Sequence, residues 1–222
     1  MYLNLNNTKG NEARRQARSM VGTTSSAIVL AGGESKRLGR AKALVEVCGK
    51  TILEWTIDHL QTAGCDPIVV VAHPTLVATF ESLANGAVIV ENPHPERGRT
   101  GSLQVGLHSL RSLNEHLSSV IMAPVDRPGW NATLVRRLLD HGGCACPKSN
   151  GRRGHPVLLN HQAIERIISS EADEPLRTLV SFSAVDLDAP WLHLNIDTAR
   201  DVEALQAGES ELSAYFGEGE GI

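Results

Sequence analysis

No stretch of about 18 apolar residues occurs anywhere in the chain, so no membrane-spanning helix is expected. The first 26 residues also lack the apolar run of a secretory signal. Their Arg and Ser content is compatible with a transit peptide, but Glu12 and the missing apolar face argue against one. The basic residues form no long run and the net charge is −4, which excludes the electrostatic footprint of a nucleic-acid binder. Arg14, Arg15 and Arg18 do cluster, but in a polar leader that Glu12 dilutes. Cysteine is scarce. Cys48, Cys65, Cys144 and Cys146 are too few and too scattered for a structural zinc site, because a lone Cys-x-Cys pair supplies only two ligands. Reduced thiols in a cytoplasmic protein are the expectation.

What is present suits an α/β domain. The 222 residues are 41% apolar, enough to bury a full core. The apolar runs are short and β-branched. Ala27 to Leu30, Pro67 to Val71, Val88 to Val90 and Val120 to Ala123 read as strands buried on both faces. Helical patterns lie between them: Leu53, Ile57 and Leu60 share one face, as do Leu103, Leu107 and Leu110. Thr198 to Asp201, ahead of Val202 and Leu205, reads as the start of a last helix, with Asp in the fourth position of a capping box. Strands alternating with helices imply a parallel sheet covered on both sides. The expected organisation is a flexible extension over 1–26, one domain over 27–207, and a mobile tail over 208–222, where Gly217, Gly219 and Gly221 alternate with glutamates.

Ligands in open α/β sheets bind at the carboxyl ends of the strands, so motifs that follow a strand directly carry the most weight. The first is Leu30-Ala31-Gly32-Gly33-Glu-Ser35-Lys-Arg37-Leu-Gly39-Arg-Ala-Lys42. Gly32 and Gly33 allow a tight turn and a close approach of backbone N–H groups to phosphate oxygens. Ser35 adds a hydroxyl donor, Arg37 a planar fork for phosphates, and Lys42 a compact charge suited to an α-phosphate. The spacing is neither that of a Walker A loop nor Gly-x-Gly-x-x-Gly. A plain βα turn would have no use for two cations beside a bare backbone.

Three further segments follow the same logic. Asn92 to Gly106 succeeds the third run, and Gly101 and Ser102 open a helix whose N–H groups face outward, suited to an anion or a base carbonyl; a simply capped helix explains the spacing nearly as well. Arg99 beside them reads equally as a phosphate contact or a solvated cation. Asp126, in Pro124-Val-Asp126-Arg-Pro128, ends a buried strand with a carboxylate, as a magnesium site requires; a turn cap before Pro128 is the plain alternative. Asp197 follows in Asn195-Ile-Asp197-Thr198, and Gly154-His155-Pro156-Val157 is a glycine turn entering a strand. His155 reads either as a donor to an acceptor phosphate or as a residue that orients the turn.

The long glycine motif resembles the signature of the MobA-like nucleotidyltransferases, which include molybdopterin guanylyl- and cytidylyltransferases, and the likeness runs from about Ala27 to Leu205. The resemblance implies a single Rossmann-like three-layer α/β domain with a mostly parallel central sheet, of the nucleotide-diphospho-sugar transferase type. It implies that the loop through Leu30, Ala31, Gly32, Gly33 and Ser35 wraps a triphosphate contacted by Arg37 and Lys42. It places the Gly101-Ser102-Leu103-x-x-Gly106-Leu107 segment against the base and makes Asn92, Gly101 and Ser102 candidate nucleotide-binding residues. It makes Asp126 and Asp197 the ligands of Mg2+, with Asn195 a weaker candidate. Ala199 replaces the usual proline after Thr198, which removes a preset first turn but no chemistry. The two aspartates lie far apart in sequence, and meet if their strands are neighbours. The Gly-His-Pro-Val segment resembles the cytidylyl branch and puts His155 in the acceptor half of the cleft, beside Arg152 and Arg153. Gly32-Gly33 resembles the guanylyl branch instead; on balance CTP is favoured slightly over GTP.

The expected activity is therefore transfer of a nucleotide from a triphosphate to a phosphorylated acceptor such as molybdopterin, with release of pyrophosphate. The expected partners are these two small molecules, with a molybdoenzyme or its maturation factor as a protein partner, and a monomer or weak oligomer as the assembly. The alternatives are a nucleotidyltransferase for a sugar phosphate or another small phosphate, and a nucleotide-binding protein without catalysis.

Overall fold

The computed structural model describes residues 25–33 and 38–217. Ser35 and Arg37 lie outside these residues, as does the extension through residue 24. The chain begins with β1 (Ser26–Ala31), whose 3-10 turn and short hairpin, β2 (Glu46–Val47) and β3 (Lys50–Thr51), lead into α1 (Ile52–Thr62). Then come β4 (Ile68–Ala72), α2 (Val77–Leu83), β5 (Val88–Glu91), α3 (Gly98–Leu113) and β6 (Ser119–Pro124). The second half adds α4 (Ala132–His141), β7 (Ala145–Ser149), β8 (Arg152–Arg153), β9 (Val157–Asn160), α5 (His161–Ile168), α6 (Leu176–Leu179) and β10 (Ser183–Asp186). Two helices, α7 (Ala199–Ala207) and α8 (Glu209–Gly217), end the described chain.

The main sheet runs β10-β7-β9-β6-β1-β4-β5, with β8 paired to β7. β6, β1, β4 and β5 are mutually parallel, and β9 alone enters this path antiparallel to both its neighbours. The expectation of a mostly parallel, three-layer α/β sheet holds.

The alternation of side chains across a strand sets the two cores. Ala27, Val29 and Ala31 of β1 join Val70 and Ile121 under α1, α4, α7 and α8. Ile28 joins Val71 and Met122 against α3 and α5 on the other face. Gly106 lets α3 come down on this second face: a Cβ there would sit 2.8 Å from Ile28 Cγ2. Thr51 and Glu54 cap α1 reciprocally, with the Thr51 N–H donating to Glu54 Oε2 at 2.8 Å and the Glu54 N–H to Thr51 Oγ1 at 3.2 Å. The four cysteines are free thiols, and burial pushes Cys65 up to about 12.

Two expectations need correction. Val88 to Val90 form a strand, but one that is only half-buried, because β5 is the last strand on its side of the sheet and has one neighbour. The tail expected to be mobile from Gly208 is helical through Gly217. Leu212, Tyr215 and Phe216 of α8 are buried, and the Phe216 ring packs tilted on Trp55 and edge-on against His59, with centroids 5.0 Å and 4.9 Å apart. The glycines past Gly208 suggested mobility, but the apolar residues between the glutamates give the segment a face to bury.

His59, buried in that aromatic cluster, has its pKa pushed down to about 4, mainly because burial disfavours the imidazolium. The unfolded chain therefore takes up a proton as pH falls through about 6.5, which the folded chain accepts only near 4. Stability is full above that window and declines by about 3 kcal/mol across it. Thermal midpoints measured from pH 7 to pH 4 should fall, and His59→Phe should make the fall shallower. Phe216→Ala should cost about 3–5 kcal/mol in denaturant unfolding, where a mobile tail would cost nothing.

Candidate active site

The carboxyl ends of β1 and β6 open on a cavity of about 420 Å³ lined by Leu30, Ala31, Gly32, Gly33, Lys42, Gly98, Arg99, Ser102, Pro124, Asp126 and Asp197, among others. Residues from four distant segments thus converge where the strand-end rule places a ligand. The Val125 N–H donates to the Leu30 carbonyl at 3.1 Å and so joins the ends of the two strands beneath it.

Lys42 sits between the two carboxylates. Its Nζ donates to Asp197 Oδ1 and lies 3.7 Å from Asp126 Oδ2, with the lysine side chain 17% exposed. This contact and the amide of Asn195, which donates to Asp197 Oδ2, hold the Asp197 carboxyl below its ordinary range. Two carboxylates that reach one ammonium can also reach one divalent cation, and their hard oxygen donors suit magnesium or manganese. Among the described residues no group of three His, Cys, Asp or Glu side chains converges as a metal site. A cation here would take its remaining ligands from phosphate oxygens and water, as magnesium commonly does.

The aspartates do not meet through neighbouring strands. Asp126 lies two residues past β6, whereas Asp197 lies on the loop between β10 and α7. The Ile196 N–H donates to the Asp126 carbonyl at 3.0 Å, and this backbone bond brings the loop to the strand end. Gly129 fits the same contact: a Cβ there would lie 1.7 Å from the Trp191 carbonyl oxygen. Asp201 completes the arrangement. Its Oδ2 accepts the N–H groups of Asp197 at 2.9 Å and Thr198 at 2.7 Å, so the cap of α7 also sets the Asp197 backbone. The Asp201 cap was legible in the sequence; its hold on Asp197 was not.

Other expected site residues fall in different places. Gly32 and Gly33 line the cavity without a positive φ; in this loop Gly39 takes that conformation, at +71°. Asn92 is 1% exposed and lies behind the lining. Its Nδ2 donates to Ser102 Oγ at 3.0 Å, its Oδ1 accepts the His94 N–H at 3.0 Å, and a Cβ on Gly32 would lie 3.7 Å from its Nδ2. Asn92 therefore spaces the glycine loop from α3. Gly101 is buried and turned toward Arg97 and Ala172, away from the cavity. His155 is also outside the lining. Its pKa is pushed down to about 4 by burial and then by the charges of Arg99 and Arg127, which Asp126 offsets only in part. It is a neutral imidazole at pH 7, able to donate one hydrogen bond but carrying no charge. Arg127 was passed over in the sequence, although its position next to Asp126 was a signal.

Fold and cavity define the class: an α/β protein with two carboxylates and a lysine gathered in a cavity at the carboxyl ends of its central strands. The sequence profile of the MobA-like NTP transferase domain matches residues 27–188, and the chain belongs to that family; it is a nucleotidyltransferase of the MobA-like type. It is 25% identical over 192 residues to a probable molybdenum cofactor guanylyltransferase of Bacillus licheniformis, covering 81% of this chain and 95% of that one. It is 28% identical over 162 residues to the nicotine blue oxidoreductase of Paenarthrobacter nicotinovorans, covering 65% and 76%. The fold matches Rv0371c of Mycobacterium tuberculosis H37Rv with a TM-score of 0.68 at 25% identity, over 85% of this chain and 100% of that one. The same protein solved in complex with manganese matches with a TM-score of 0.64 at 22% identity, over 83% and 99%.

Gly129→Ala should force the 191–197 loop off the strand end and cost at least about 1–3 kcal/mol in denaturant unfolding, as overpacking does. Gly33→Ala, whose Cβ would meet nothing within 4 Å, should leave stability unchanged.

Proposed function

We propose that the protein transfers a nucleotidyl group from a nucleoside triphosphate to a phosphorylated acceptor of the molybdopterin type. The observation that carries this reading is Lys42 held between Asp126 and Asp197 at a cavity floored by the glycine loop. An acceptor phosphate oxygen forms a bond to the α-phosphorus. The bond from that phosphorus to its bridging oxygen breaks, and pyrophosphate leaves with the electron pair. The acceptor phosphate is already ionised, so no strong base is needed. Positioning and charge neutralisation supply the acceleration.

Each residue has a role in this scheme. Asp126 and Asp197 hold a divalent cation, which neutralises charge on the phosphates. Lys42 moves its contact from the carboxylates to the α-phosphate. Gly32 and Gly33 present backbone N–H groups to the triphosphate, a contact that the motif also assigns to Ser35 and Arg37. Ser102 and Arg99 face the nucleotide from α3, with Asn92 fixing Ser102 from behind. Neutral His155 donates a hydrogen bond on the acceptor side, between the charges of Arg99 and Arg127. The manganese complex of Rv0371c supports a divalent ion for this chain too.

The Gly32-Gly33 pair and the guanylyltransferase relative support GTP, whereas the Gly-Ser-Leu and Gly-His-Pro-Val segments support CTP. A pyrophosphate-release panel of CTP, GTP, UTP and ATP with Mg2+ or Mn2+, with and without a molybdopterin acceptor, decides the base and the acceptor. Asp126→Asn should lower turnover by about 100-fold or more, and Lys42→Met by about 10- to 1000-fold. Retained turnover in Asp126→Asn sinks the metal assignment. Triphosphate-induced thermal stabilisation with no pyrophosphate from any pair of substrates would favour binding without catalysis.

A further inference from the structure

The start of α3 faces the cavity, yet its own sequence does little to hold it helical. It reads Gly98-Arg-Thr-Gly101-Ser, with glycine at two of its first four positions, and no side chain caps it at Arg97. Glycine is a poor helix former, and the first turn has no side-chain cap, its Gly98 N–H donating instead to the Pro95 carbonyl. Helical geometry, at about 3.6 residues per turn, splits this turn into two faces. Gly98, Arg99 and Ser102 fall on one face and line the cavity. Thr100, Gly101 and Gln104 fall on the other, and all three meet a single segment, residues 167–174.

The contacts of that second face are specific. Gln104 Nε2 donates to both the Ile167 and the Ser170 carbonyl at 2.9 Å, using the two hydrogens of one amide at the C-terminal end of α5. Thr100, 3% exposed, donates from Oγ1 to the Glu174 carbonyl at 2.6 Å. A Cβ on Gly101 would lie 3.4 Å from Ala172 Cβ, so the helix approaches the segment closely at that point. None of these residues touches the cavity.

We propose that Gln104, with Thr100, is a positioning residue for nucleotide binding: it clamps the first turns of α3 to the 167–174 segment and so fixes Gly98, Arg99 and Ser102 where the triphosphate is bound. This inference rests on the nucleotidyltransferase reading of the cavity, because it assigns the clamp a nucleotide to serve. Asn92 fastens the inner side of the same turn through Ser102, and Gln104 fastens the outer side. The turn is held from both flanks, as an intrinsically weak helix start at a binding surface requires.

The test compares wild type, Gln104→Leu and Gln104→Lys in the full chain. Leucine keeps the bulk and removes the donors. Lysine keeps a donor, and a cation suits the C-terminal end of α5. Hydrogen exchange is read at amides 102–106, whose helical acceptors are the carbonyls of 98–102. Binding of CTP and GTP with Mg2+ is read by calorimetry. Gln104→Leu should speed exchange at 102–106 about tenfold while β1 and β6 keep their protection, and should weaken the bound triphosphate about 5- to 10-fold. Gln104→Lys should restore both. Unchanged exchange at 102–106 overturns the clamp, and so does a uniform rise in exchange across the sheet, which marks a merely structural loss. Weakened α3 with unaltered triphosphate affinity overturns its role in binding. If wild type binds no triphosphate, the nucleotidyltransferase reading falls with the clamp's role in binding, and the exchange result still decides the clamp itself.

Discussion

The backbone hydrogen bond from Ile196 N–H to the Asp126 carbonyl is the constraint on which the site depends. It fastens a loop that belongs to no strand onto the end of a central strand. Asp126 alone offers one carboxylate, and Lys42 beside it one opposite charge. Once the loop is fastened, Asp197 enters, and the three side chains form one charged cluster at the cavity. Gly129 gives the loop room against the Trp191 carbonyl, and the Asp201 cap fixes the Asp197 backbone from the other side.

Beneath this cluster the sheet has an ordinary logic. Alternation along β1, β4 and β6 supplies two apolar faces, and helices cover both. Parallel strands β6, β1 and β4 end together, so the polar backbone at their carboxyl ends gathers in one place. Stability and chemistry are thereby separated. Most of the core residues lie mid-strand, whereas the cavity is lined by the last ladder residues Leu30, Ala31 and Pro124 and by segments that follow them.

How much of the site was legible depended on distance in sequence. Leu30 to Gly33 and Lys42 form one local motif after one strand, and they line one cavity. Asn92 and Ser102 were legible as polar residues of one segment that follows a strand and leads into a helix. Their actual relation, a buried amide behind a hydroxyl, was not, because it follows from how deeply α3 sits on the sheet. Gly101 reads in sequence as the opening of a helix and so as facing the ligand, whereas the helix starts a turn earlier, at Gly98. The 3.6-residue repeat turns Gly101 to the other side, toward Ala172, which only the end point of α5 could reveal. The α8 helix was missed because the alternating glycines and glutamates from Gly217 to Gly221 set the reading of the whole tail, whereas three apolar side chains ahead of them decide the burial of the helix.

The sequence by itself determined the strand–helix alternation, the mostly parallel sheet, the glycine loop and the polar residues that follow the strands, because each is written in short-range spacing. Tertiary structure decided which carboxylates converge on Lys42, which polar residues face the cavity and which stand behind it, and whether the last helix packs. Those outcomes depend on contacts between segments far apart in the chain, such as Ile196 with Asp126, Gln104 with Ser170 and Phe216 with His59. Local periodicity records which face of an element is apolar; it holds no record of what that face will meet.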